Sequence, residues 1–188
     1  GSPVVTARMA VRDLKMGEVR RYWPPSVAPG GLKWCAQHLS RGVVSMPAIN
    51  LALADRGEGL EITTFSAEIA AEGARVDYLT PLPTIEDARA TATLNLDRLA
   101  ITLLGGGSLG LRLEGGTVVI ADFDKPVETI AIDLALAGPL RDAVDVLSRK
   151  PLAYTEGIGL KPEDVSGNVA MRLQLGFPLL ADLPIADV

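Results

Sequence analysis

Residues 88–113, ARATATLNLDRLAITLLGGGSLGLRL, alternate apolar and polar side chains almost without error. Ala88, Ala90, Ala92, Leu94 and Leu96 share one parity. After a slip at Asp97-Arg98, Leu99, Ile101, Leu103, Leu109, Leu111 and Leu113 share the other. A period of two sets alternate residues on one face of a β-sheet. Nearly every apolar residue here is aliphatic, so that face is either an ordinary packed core or a surface shaped for hydrocarbon.

Working outward, the same period recurs. Val5, Ala7, Met9 and Val11 predict a first half-buried strand, and Val43, Ile49, Leu51 and Leu53 another, ended by Asp55-Arg56-Gly57. Further strands are expected near 60–71, 74–79, 88–96, 99–104, 108–114, 117–122 and 127–137, with Gly, Pro or Asp between them. Val165, Val169, Met171, Leu173, Leu175 and Phe177 predict a long final strand. Short strands with tight connections indicate an antiparallel meander rather than βαβ units.

Helical signals are few. Val19, Tyr22 and Trp23 suggest one turn, stopped by Pro24-Pro25. Leu32, Cys35 and Leu39 lie at i, i+3 and i+7 after Pro29-Gly30-Gly31, with Gly42 where a helix C-cap belongs. Leu140, Ala143, Val144 and Leu147 form the stripe of a second helix, opened by Gly138-Pro139 and ended by Pro151.

The chain has 188 residues, enough for one domain with a substantial core. Its mean hydropathy is +0.26 despite 22% charged residues. The longest uncharged stretches, Gly42–Ala54 and Leu99–Leu111, hold 13 residues each, short of the roughly 20 apolar residues a spanning helix needs. The excess apolar content is therefore spread through alternating segments. Residues 1–41 carry +5 and the remainder −10. The basic part suits anionic headgroups or an acidic partner, or is simply a solvated face of mixed sign. Nucleic acid is not expected, because no basic stripe interleaves with aromatics. Cys35 is the single cysteine, so no internal disulfide or cysteine metal cluster is possible. Gly1-Ser2 reads as a cloning remnant, and residues 3–188 as one module cut from a longer, repetitive chain.

Catalytic patterns match in letters and fail in context. Gly106-Gly107-Ser108-Leu109-Gly110 fits G-x-S-x-G, but that elbow needs a following helix and a later histidine. Here a strand follows, and His38, the only histidine, lies upstream. Gly105, Gly107 and Gly110 fit G-x-G-x-x-G without a helix to receive a pyrophosphate. A wide turn in a curved sheet explains these glycines better. Asp122 with Asp124, and Asp142 with Asp145, lack the further ligands a divalent cation requires. No catalytic residue, metal or cofactor is expected. Trp23 and Trp34 flank the helix and suit either a headgroup region or an anchor of helix to sheet.

The order of these pieces resembles a known family. Tyr22-Trp23-Pro24, Lys33-Trp34 and the helix closing in Leu39-Ser40-Arg41-Gly42-Val43-Val44 are similar to the start of the central domain of YhdP-type proteins, in the AsmA-like superfamily to which TamB-type proteins are related. Val76-Asp77-Tyr78-Leu79-Thr80-Pro81-Leu82-Pro83 resembles that domain's short strand ending at proline. Gly115 to Asp122, Gly138-Pro139-Leu140 with Pro151-Leu152, and Val165-Ser166-Gly167 continue the likeness, which spreads over most of residues 5–180. The resemblance implies a U-shaped groove of repeated units crossing the periplasm, phospholipid movement between inner and outer membranes, and a parent protein tethered to the inner membrane. It supplies no catalytic residues.

The fold expected is mostly β with two or three short helices, its antiparallel, strongly curved sheet forming a U-shaped hydrophobic groove; a closed β-sandwich or barrel is the alternative. Strand parity selects Leu94, Leu96, Leu99, Ile101, Leu103, Leu111, Leu113, Ile130, Ile132, Leu134, Val169, Met171, Leu173 and Leu175 as groove lining. Each buried methylene is worth roughly 0.8 kcal/mol, so an acyl chain of about 16 carbons gains on the order of 10 kcal/mol gross without specific polar contacts. The expected partners are phospholipid acyl chains, adjacent repeats of the parent chain and other envelope proteins. The competing reading is a non-catalytic spacer or protein-interaction module, whose same parity describes a dry core. An outer-membrane barrel would need aromatic girdles, whereas Tyr22, Trp23 and Trp34 cluster near one end.

Overall fold

The alternating segments pair in sequence order. In the computed structural model, which describes residues 4–23, 27, 29–55, 57, 59–77, 81–150 and 152–179, one antiparallel sheet contains nine strands. They are β1 (Val4–Lys15), β2 (Leu39–Ser40), β3 (Val43–Asp55), β4 (Leu60–Val76), β5 (Ile85–Asn95), β6 (Arg98–Ser108), β7 (Leu111–Ala121), β8 (Glu128–Pro139) and β9 (Asn168–Leu179). Their order is β1-β3-β4-β5-β6-β7-β8-β9, with β2 beside β4. β1 and β9 stand at opposite ends and do not pair, so the sheet is open, not a closed barrel or sandwich. Two α-helices, α1 (Pro29–His38) and α2 (Leu140–Ser148), and three 3-10 turns complete the chain.

Bulges bend this sheet. Register shifts fall at Ser45/Ala48 in β3, Ala71/Ala74 in β4, Glu86/Arg89 in β5 and Leu113/Gly115 in β7. Each bulge kinks its strand and adds twist. Aligned across neighbouring strands they make a crease, and the resulting curvature suits a groove. At Gly106 in β6 the crease is tight: φ is +148°, and an added Cβ would lie 3.2 Å from Ala88 Cα and 3.3 Å from Glu86 O.

Several boundaries differ from the sequence expectation for this same reason. The segments at 60–71 and 74–79 are one strand, β4, because Gly73 (φ +65°) absorbs the period break as a bulge instead of a turn. Gly105–Gly107 lie inside β6, and the hairpin turn falls at Leu109-Gly110, with Leu109 at φ +53° and 53% exposed. The three segments expected over 99–122 are therefore two strands. Gly42 (φ +74°) does not cap α1; it joins β2 to β3, and Leu39 belongs to β2. Val165 precedes β9, after the 3-10 turn Pro162–Asp164. The stops at Pro24-Pro25 and Pro151, the Tyr78–Thr80 part of the proline-ended strand, and Arg56 lie outside the described residues.

The core divides into two clusters. Val27, Phe65, Ala67, Leu94, Leu99 and Ile120 form one, and Leu14, Val19, Val44 and Met46 the other. Trp23 packs against both, and its Nε1–H donates to Val27 O at 2.6 Å. α2 contacts β8, β9 and the turn at 162–164, burying Ala143 and Val144. Cys35 lies in α1 beside a cavity of about 260 Å³ also lined by Met16, Val19, Leu32 and Leu39. Burial pushes its thiol up to about 11.

Candidate functional site

Residues paired across an antiparallel ladder point to the same face, so the registers give the sheet's two surfaces directly. One row runs Met9–Ile49–Ala67–Leu94–Leu99–Ile120–Ile130–Phe177 across eight strands. A second runs Ile69–Ala92–Ile101–Val118–Ile132–Leu175. A third runs Leu14–Val44–Ala71–Ala90–Leu103–Gly116–Leu134–Leu173. Leu113–Leu136–Met171 and the Gly138–Val169 pair extend the same face past the crease. The rows run perpendicular to the strands, along the length of the sheet.

The opposite face carries the polar rows, with the small apolar row Ala100–Val119–Ala131 between them. Arg8–Asn50–Ser66–Asn95 form one row, and Arg8 Nε donates to Asn50 Oδ1 (3.0 Å), whose Nδ2 donates to Ser66 Oγ (3.1 Å). Thr91–Thr102–Thr117–Asp133–Gln174 form another. Arg172 donates to both Asp133 oxygens at 2.7 and 2.6 Å, and Gln174 Nε2 to one of them at 3.0 Å. The Arg172 and Gln174 hydrogen bonds hold the Asp133 carboxyl down at about 2, below the ordinary 3.8. Because the folded value is depressed, the stabilising contribution is complete above pH about 4 and is lost as pH falls through about 2. A carbon-detected NMR titration should therefore place the Asp133 midpoint near 2, and Arg172→Gln should return it toward the usual carboxylate range. An unchanged midpoint in the variant would show that the bidentate pair does not set it.

The structure brings most of the expected lining together. Leu94, Leu99, Ile101, Leu103, Ile130, Ile132, Leu134, Leu173 and Leu175 lie in the three rows, with Leu113, Met171 and Val169 beyond the crease. Leu111, two residues from Leu113 on β7, shares its side and is buried. Leu96 sits in the β5–β6 turn and is 41% exposed, so it does not continue the strand's face. Parity does not select Val118 and Ile120, because the Gly115 bulge makes even-numbered residues 118 and 120 share a face with Leu111 and Leu113; Leu136 continues the parity of Ile130, Ile132 and Leu134 on β8.

The apolar face is unevenly covered. Over β3–β7, Val19, Trp23 and Val27 from the segment after β1 lie on it; Val27 is 1% exposed, and Leu94, beneath it in the same cluster, 3%. Outside that cluster, Ile69, Ile101, Leu103 and Val118 on β4–β7 and Ile130, Ile132, Leu134, Leu136, Met171, Leu173 and Leu175 on β8 and β9 remain half-buried.

The residues considered for chemistry have structural partners. Ser108 Oγ, at the end of β6, donates at 3.2 Å to Pro83 O in the segment before β5. His38 Nδ1 lies 2.6 Å from Asp77 O, to which it donates, and its ring stacks on Trp34 at 5.1 Å. Asp122 pairs with Lys125 and accepts from Thr129 Oγ1, and Asp145 pairs with Arg149. Among the described residues, no group of three or more His, Cys, Asp or Glu side chains is placed to hold a metal. Nor is any described helix long and apolar enough to cross a membrane.

The class these features define is an open antiparallel sheet domain with one continuous aliphatic face and a curvature consistent with a groove. The YhdP protein family model matches residues 1–185, so the chain belongs to the YhdP family. No curated protein and no solved structure matches it.

Proposed function

We propose that this domain is a lipid-binding groove module of a bacterial envelope bridge, contributing to phospholipid transport between inner and outer membranes. The observation that carries the reading is the continuity of the aliphatic rows across the sheet, with the second and third rows and the β8–β9 end left half-buried. Family membership supports an envelope role related to lipid transport. A one-sided aliphatic lining binds hydrocarbon through area alone, so no position holds a chain strongly and sliding is permitted. Acyl chains are the partner in this reading, and neighbouring repeats of the parent chain continue the trough from either open edge. The domain is periplasmic and its parent tethered to the inner membrane.

A spacer with a dry core is the second reading, favoured by the covered half of the face under Trp23 and Val27. Native mass spectrometry of the domain purified from bacterial cells separates them. The groove predicts copurified phospholipid, lost in Leu173→Asp, a change at half-buried β9 that leaves the β3–β7 core intact. Lipid-free wild-type protein with no affinity for acyl probes would favour the spacer.

A further inference from the structure

We propose that the cavity between α1 and the 3-10 turn Met16–Arg21 binds a single-chain amphiphile, its alkyl tail inside and its anionic head on Arg20. The cavity holds about 260 Å³, and its described walls come from that turn, α1 and Leu39 of β2, not from β3–β9. The site is therefore independent of the groove proposed above. Leu32, Cys35 and Leu39, the stripe at i, i+3 and i+7, line it together with Met16 and Val19. That stripe stays half-buried, whereas Ala143 and Val144 on the stripe of α2 are buried. The difference is that α1 stands over a space and α2 over side chains.

Both walls are tied to the sheet, which holds them apart. Met16 N–H donates to Gly42 O at 3.2 Å, fixing the turn. At the end of α1, Asp77 N–H donates to His38 O (2.7 Å), His38 Nδ1–H donates to Asp77 O (2.6 Å), and Leu39 pairs with Val76 of β4. An apolar cavity of about 150 Å³ stays dry and binds benzene, so this larger one takes an alkyl run of about eight carbons. Arg20 and Ala36 line it and are exposed, which sets them at its mouth. Among the described lining residues Arg20 is the only charged one, and residues 24–31, which join the two walls, carry no charge. A guanidinium beside an apolar cavity selects the head: its fork matches phosphate and carboxylate and repels a cation. Residues 12–41 hold six Lys or Arg against Asp13 and Glu18, which adds to that preference.

Cys35, the sole cysteine, reports occupancy from inside the cavity. The test follows its alkylation by N-ethylmaleimide in the whole chain, read by intact-mass spectrometry. Mildly alkaline buffer supplies thiolate, because burial pushes the thiol up to about 11. Octyl phosphate, kept below its micelle concentration, should slow the reaction saturably, to about a fifth of its rate at roughly four times the dissociation constant. Octyltrimethylammonium, with the same tail and the opposite charge, should leave the rate unchanged. Arg20→Gln should lose most of the protection, and Arg21→Gln, outside the lining, should keep it; circular dichroism confirms that each variant is folded. An unchanged rate with octyl phosphate, equal slowing by the cation, or full protection in folded Arg20→Gln overturns the site. Leu173→Asp should keep the protection even if it abolishes lipid copurification. Loss of protection there would assign the effect to the aliphatic face and overturn the cavity as the site.

Discussion

Truncating Leu94 to Ala should cost about 3 kcal/mol of unfolding free energy, within the roughly 2–5 kcal/mol range for buried leucines. Leu94 is 3% exposed, pairs with Ala67 on one side and Leu99 on the other, and lies in the cluster beneath Val27. One strand neighbour is already an alanine, so little side-chain mass is available to collapse into the space. For a chain of this size the loss corresponds to a fall in Tm of about 6–12 °C, read by calorimetry. Leu173→Ala, on half-buried β9, is expected to cost less than about 1.5 kcal/mol. That contrast is informative about function as well as stability. The covered half of the aliphatic face holds the fold, and the half-exposed part is free to hold something else. Equal losses at the two positions would mean that β9 is core like the rest.

Gly42→Ala should be nearly as damaging, at about 3 kcal/mol. The backbone there has φ +74°, which costs an L-residue with a Cβ roughly 1–2 kcal/mol. The new Cβ would also lie 2.5 Å from Glu72 O, 2.7 Å from Gly73 C and 2.8 Å from Ala74 N. Those atoms are backbone of β4 at its bulge and cannot rotate away. Gly57→Ala is the matched control: its φ is +92°, but nothing lies within 4 Å of the added atom. Denaturant melts should separate the two, the control losing only the conformational part. If both lose the same amount, the close approach of the β2–β3 link to β4 is not a constraint.

The sequence made the strands and their facing legible wherever the period of two ran unbroken. Leu94, Leu99, Ile101 and Leu103 fall in the expected rows because the Asn95–Arg98 turn reverses the chain cleanly, with Asn95 Oδ1 accepting from Asp97 N–H and Arg98 N–H. Errors cluster where a glycine can serve either a turn or a bulge. Gly73 and the Gly105–Gly107 run look like breaks in the sequence, yet both lie inside strands. Nothing local distinguishes the two uses; the pairing of the neighbouring strand decides. The second limit was the covering of the face. Trp23 is marked by its ring, as either a headgroup contact or an anchor, but Val27 carries no pattern that marks it as the fully buried side chain it is. Its place on Leu94 and Leu99 depends on how the chain returns over the sheet, a long-range property that strand periodicity does not encode.

The central claim, that the aliphatic face receives acyl chains, is tested most directly by photo-cross-linking in bacterial cells. A benzophenone amino acid is placed at Leu134 or Leu173 on that face and, for comparison, at Thr117 or Gln174 on the polar one. The account predicts phospholipid adducts at the first pair and none at the second. Folded protein that captures no lipid at Leu134 or Leu173, or captures it equally on both faces, would contradict it.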